Sequence, residues 1–141
     1  MNYVFDACAL ISYLNDESGS NIVDNLLKKA VEGEIDIYMS IVNLIEVHYA
    51  NIRYLGQEQA TVILENILSS PIHIVSTVSD AVFQQSSRIK AGYRCSLADA
   101  IGVATAIELD GQFVTSDHHE LEAIERNETT HFVWLPSHPK K

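Results

Sequence analysis

Apolar residues in this chain follow two rhythms. Short runs predict buried strands: Tyr3-Val4-Phe5, Ile35 to Met39, Ile72 to Val75, Phe113 to Thr115, and His131 to Leu135. Between them, apolar side chains recur every three or four residues, which predicts helices. These run over Ala7 to Leu14, Asn21 to Val31, Ile41 to Tyr54, Gln57 to Leu68, Asp80 to Ala91, Leu97 to Leu109, and His119 to Arg126. Their inward faces are read as, for example, Ile22, Val23, Leu26, Leu27 and Ala30, then Leu44, Ile45, Val47 and Ala50, then Ala60, Ile63, Leu64, Ile67 and Leu68. Ser40, Ser79 and Ser96 stand where N-caps are needed, and Gly33, Gly56 and Gly92 where helices must stop. Pro71 forces extended backbone before it, and Pro136 to Lys141 reads as a tail. Strands alternating with helices predict a parallel-sheet α/β sandwich.

The stretch Tyr93 to Asp117 organises the rest. Its helix, Leu97 to Leu109, is apolar nearly all round and so belongs in the interior. Asp110-Gly111 ends it, and the strand Phe113-Val114-Thr115 delivers Asp117 at its carboxyl end. In open α/β sheets the functional crevice lies outside the carboxyl ends of the strands.

A length of 141 residues points to one domain spanning 1–141, and 47% hydrophobic with 20% charged residues excludes a disordered chain. A formal net charge of −10 excludes holding nucleic acid by bulk electrostatics. It leaves room for a nucleic-acid enzyme whose carboxylates are offset by cations. Cys8 and Cys95 fit neither a zinc spacing nor a disulfide framework, so a reducing cytoplasm is the default location. Asp6 interrupts the apolar start with no basic residue before it, which argues against a signal peptide, and no run is long enough to cross a bilayer. Neither a P-loop nor a dinucleotide glycine fingerprint is present, and the acid and lysine pattern of a phosphoryl-accepting receiver is missing.

Four acids fall at comparable places. Asp6 and Asp117 end strands, Asp99 lies in a helix first turn, and Glu46 lies near the start of a helix that follows a strand. A parallel sheet can bring all four to one edge. Carboxylates gathered there repel one another and take up protons unless a cation compensates. Mg²⁺ and Mn²⁺ suit oxygen-only ligands, one ion needing one or two carboxylates, and two ions roughly 3.5–4 Å apart can clamp the oxygens of a phosphodiester displacement. Each acid also has an ordinary role. Ser96-Leu97-Ala98-Asp99 fits a capping box, Asp6 and Asp117 fit turn or helix-start positions, and Glu46 fits a solvated helix face.

The chain resembles the PIN domains, specifically the VapC-type toxin ribonucleases. The resemblance rests on Val4-Phe5-Asp6-Ala7-Cys8-Ala9-Leu10, Ser40-Ile41-Val42-Asn43-Leu44-Ile45-Glu46, Leu97-Ala98-Asp99-Ala100 with Ala104-Thr105-Ala106, and Val114-Thr115-Ser116-Asp117. It implies a three-layer α/β/α sandwich around a mainly parallel sheet of four or five short strands. It implies Asp6, Glu46, Asp99 and Asp117 as catalytic ligands of one or two Mg²⁺ or Mn²⁺ ions. It further implies RNA hydrolysis by a homodimer restrained by a cognate antitoxin. The alternative is a PIN-like acidic binding module without nuclease activity. One departure is visible: where the family often has a small hydroxyl residue two after the first Asp, this chain has Cys8. Thr115 and Ser116 are hydroxyl neighbours of the acids, with strand closure as their other role.

Arg88, Lys90 and Arg94 precede the organising helix and are candidates to contact RNA phosphates, while Arg88 and Lys90 also fit a solvated helix face. His118 and His119 follow Asp117, but oxygen-only coordination leaves them as neighbours rather than ligands. His48 reads as structural or surface, and Cys95 as a small buried residue. The helix faces near Ile52 to Tyr54 and Ile63 to Leu68 are candidates for a dimer interface.

Overall fold

In the computed structural model, residues 1–136 are described, the His119 side chain excepted. The tail predicted beyond Pro136 lies outside the described residues. The apolar runs become β1 (Asn2–Phe5), β2 (Asp36–Ser40), β3 (Ile72–Val75), β4 (Gln112–Thr115) and β5 (Phe132–Trp134). Their pairings are all parallel, in the order β3-β2-β1-β4-β5, so the sheet has five strands and is parallel throughout. Between them lie α1 (Ala7–Leu14), α2 (Ser20–Val31), α3 (Ile41–Leu55), α4 (Gln57–Leu68), α5 (Asp80–Gly92), α6 (Leu97–Glu108) and α7 (His118–Asn127).

Side chains alternate across the sheet, as strand geometry requires. Phe5, Ile37, Met39 and Val114 point to one face, where they meet Leu10, Val23, Leu26, Leu44 and Val47 of the first helices. Val4 and Phe113 point to the other, against Ile89 of α5, Ala100, Val103 and Ala106 of α6, and Leu121 and Ile124 of α7. Both faces are covered, which is why the strands read as continuous apolar runs. The α6 segment from Ala98 to Ala106 is buried except for Asp99. Gly102 lets it come close: a Cβ there would lie 2.8 Å from Phe113 Cε1 and 3.0 Å from Asn43 Nδ2.

Serine hydroxyls cap α3, α5 and α6, accepting from the N–H groups of Val42, Val82 and Asp99 respectively. Four residues expected to face inward are instead exposed: Ile22, Ile45, Leu68 and Leu97. Their apolarity matched the helical period, but they stand on helix faces that no other element covers.

The strand order positions the site. The chain winds from β1 through β2 to β3, then crosses back to place β4 on the other side of β1. The reversal opens a crevice at the carboxyl ends of β1 and β4, the switch point of a doubly wound sheet. Phe5 pairs with Val114 there, and the next N–H, that of Asp6, donates to the Val114 carbonyl at 3.3 Å.

Candidate metal centre

Asp6, Glu46, Asp99 and Asp117 all line one cleft of ≈ 380 Å³, together with Cys8, Ser96 and Glu120. Each arrives by a different local device. Asp6 follows β1 and caps α1, its Oδ1 accepting from the Ala9 N–H at 2.8 Å. Asp117 stands at the N-cap of α7 after β4, and its side chain makes no capping hydrogen bond. Asp99 is in the first turn of α6, and Glu46 is in the second turn of α3. Oxygens of Asp99, Asp117 and Glu120 lie within 4.8 Å of one another.

Asp6 is the most enclosed of these acids, at 1% exposure. Burial pushes its carboxyl up to about 7, although the Thr115 hydroxyl and the Ala9 N–H pull the other way; Asp99 and Asp117 add to the rise. Asp99 is raised chiefly by burial, against Ser96 acting through hydroxyl and backbone N–H, with Asp117 and Glu120 raising it further. Glu46 is raised by burial and then by Asp99. The Cys8 thiol, partly desolvated among these acids, is pushed up to about 12. No Lys, Arg or His is among the described residues lining the cleft. Five carboxylates with oxygen donors and no compensating base form a donor set that fits a hard divalent cation.

The model of the PIN domain family matches residues 3–127. The chain belongs to the PIN-domain family. Comparison with curated proteins finds no match. Among solved structures, VapBC2 from Rickettsia felis bound to a promoter DNA fragment superposes with a TM-score of 0.74 at 18% identity, covering 94% of this chain and 98% of that one. VapC20 from Mycobacterium tuberculosis, described as a Sarcin-Ricin loop cleaving toxin, gives 0.64 at 13% identity, covering 83% and 91%. VapBC-5 from the same organism, a member of the VapBC family of toxin-antitoxin systems, gives 0.62 at 15%, covering 95% and 98%. At these identities the likeness is one of fold.

The remaining residues singled out in the PIN chain fall into place as follows. Thr115 is fully buried; its hydroxyl donates to Asp6 Oδ2 at 2.5 Å and accepts the Asp117 N–H at 3.1 Å. Asp6 therefore draws its hydroxyl partner from β4, where residue 8 is a thiol. Ser116 is half-buried, and its carbonyl accepts the His118 N–H. Lys90 and Arg94 are exposed and do not line the cleft; Lys90 borders a separate apolar hollow with Phe83 and Leu97. Arg88 is engaged in a two-pronged pair with Glu128, at 3.1 and 2.8 Å, which Tyr93 shares. That pairing gives the half-exposed Arg88 side chain a partner within the fold. His118 donates to the Leu135 carbonyl and stacks on Trp134. Cys95 is buried. No described helix is long and apolar enough to cross a membrane.

Glu120 was missed in the sequence. The predicted helix began at His119, whereas α7 begins at His118 with Asp117 as its N-cap. That frame makes Asp117-His118-His119-Glu120 a one-turn spacing, the signal that marks the two acids as neighbours.

Proposed function

We propose that this chain is a ribonuclease that depends on Mg²⁺ or Mn²⁺, and the toxin of a toxin–antitoxin pair. The observation that carries the reading is the convergence of Asp6, Glu46, Asp99, Asp117 and Glu120 on the β1/β4 switch point, with no base among the described residues lining the cleft. Asp99, Asp117 and Glu120 would hold one ion, with Asp6 and Glu46 available to it or to a second. A bound ion would supply the positive charge that stabilises the oxygens of a phosphodiester under attack.

The chain's own residues fix the carboxylates. The Thr115 hydroxyl and the Ala9 N–H hold both oxygens of Asp6 in place. Ser96 anchors the α6 turn that carries Asp99. Lys90 and Arg94 are free to meet an RNA backbone leading to the cleft, with affinity that falls steeply with salt. Two solved neighbours support this direction, one described as a Sarcin-Ricin loop cleaving toxin and one as a member of a family of toxin-antitoxin systems. The whole chain would act as one unit, in the cytoplasm, as a homodimer. A cognate antitoxin would restrain it by placing a basic side chain among the acids.

The test is cleavage of a pool of structured RNAs in Mg²⁺ or Mn²⁺ against EDTA, with Asp6→Asn beside the wild type. Asn caps helices as well as Asp does, so the variant keeps its fold. Cation-dependent cuts that vanish in Asp6→Asn are the expected result. Absence of cutting, together with no cation effect on the melting temperature, would leave a binding module.

A further inference from the structure

The start of α7 is held differently from the other capped helices of the site. Asp6 and Ser96 spend their side chains on capping, but Asp117 at the N-cap of α7 does not. Its carboxylate is thus left to face the cleft, and something else must fix the turn that carries it. Two adjacent bonds hold the backbone there, from the Asp117 N–H to Thr115 Oγ1 and from the His118 N–H to the Ser116 carbonyl at 3.0 Å.

The next side chain supplies the rest. His118 Nε2 lies 2.8 Å from the Leu135 carbonyl. A carbonyl only accepts, so Nε2 carries the hydrogen and donates. The imidazole stacks on Trp134 with centroids 4.6 Å apart and planes 26° from parallel. The Trp134 indole N–H is shared by both carboxylate oxygens of Glu125, each at 3.0 Å, two turns along α7. Trp134 is also the register partner of Thr115, and the Leu135 N–H donates to the Thr115 carbonyl at 2.8 Å. The contacts close a circuit from the end of β4, through β5 and two stacked rings, back to α7. Asp117 and Glu120 sit inside that circuit.

We infer that His118 and Trp134 form a positioning clamp that orients Asp117 and Glu120 toward the cation, an inference that rests on the metal-centre reading. Leu121 and Ile124 already anchor α7 in the core. The clamp therefore sets the direction of its first turn more than its attachment. Groups that orient a metal ligand typically govern affinity by 10- to 100-fold.

The experiment is Mn²⁺ binding to the full chain, followed by the electron paramagnetic resonance of free Mn²⁺, alongside melts of the metal-free protein. His118→Ala should weaken binding about tenfold, the low end of that range. His118→Gln, which can still donate to the Leu135 carbonyl, should recover most of the loss. Trp134→Phe keeps a smaller ring against His118, deletes the N–H to Glu125, and should weaken binding measurably. Trp134 is the only tryptophan, so its emission should shift on Mg²⁺ addition to the wild type and stay unchanged in Asp117→Asn. Wild-type affinity in both His118→Ala and Trp134→Phe would overturn the inference. A loss in His118→Ala that tracks a fall in metal-free stability, without recovery in His118→Gln, would overturn it too. A wild type that binds no Mn²⁺ would overturn the metal-centre reading itself, and with it the clamp.

Discussion

The Thr115 hydroxyl reaches Asp6 Oδ2 across 109 residues of sequence, at 2.5 Å, and so joins the carboxyl ends of β4 and β1. Thr115 Oγ1 in turn accepts the Asp117 N–H. One buried hydroxyl thus sets the relation between two acids of the cleft.

Thr115→Val keeps the shape and removes the hydroxyl. It leaves a buried carboxylate oxygen without its donor, a loss of about 1–3 kcal/mol, and the melting temperature should fall by several degrees. Thr115→Ser keeps the hydroxyl and should restore most of the Mn²⁺-dependent rise in melting temperature that Val abolishes. Paired melts with and without Mn²⁺ check both.

Ser96 and Asp99 share one turn but should separate in experiment. Ser96→Ala removes the cap on α6 and should lower stability by about 1 kcal/mol whether or not a cation is present. Asp99→Asn should leave the EDTA-treated protein at least as stable, because a half-buried, repelled carboxylate becomes neutral. It should lose the cation-induced stabilisation. Melting curves of the two variants in EDTA and in Mn²⁺ distinguish the roles.

Glu120 is exposed, so Glu120→Gln should change metal-free stability by no more than about 0.5 kcal/mol. As a member of the tight oxygen group it should nonetheless weaken Mn²⁺ binding and RNA cleavage. Isothermal titration with Mn²⁺ gives the answer directly, and an unchanged affinity would remove Glu120 from the centre.

Asp6 makes the metal-free protein sensitive to pH. Its folded value of about 7 stands above the ordinary 3.8, so the fold favours the protonated acid. That contribution is fully present below the unfolded value and is lost as pH rises through about 7. In EDTA the melting temperature should therefore decline between pH 5 and 8. Asp6→Asn should flatten the decline, and so should saturating Mg²⁺, which stabilises the charged carboxylate. Melts across that range in wild type and variant test the sign.

Much of this layout was legible from periodicity and caps. Ala7–Leu14, Gln57–Leu68 and Ile72–Val75 match the predicted bounds, because Asp6, Gly56 and Pro71 mark their ends in the local sequence. The apolar α6 was readable as an interior helix for the same reason. Strand order was not readable, since nothing local says that β4 returns to the far side of β1. Exposed Ile45, Leu68 and Leu97 show that a helical period reveals an apolar face but not whether anything covers it. Arg88 looked like a free cation because its partner, Glu128, lies 40 residues away. Thr115 was readable as a hydroxyl neighbour of the acids, but not that its partner is Asp6, 109 residues away.

With β1 at the centre of the sheet, one of its two pairings waits for a strand far along the sequence. β2 can pair with β1 early, but β4 begins at Gln112 and brings Thr115 and Asp117 last. Until then Asp6 has neither its hydroxyl donor nor Asp117 beside it. A nascent chain halted before β4 carries a half-sheet with one open edge and no cleft. The acidic centre is therefore completed in the same step that closes the core around β1.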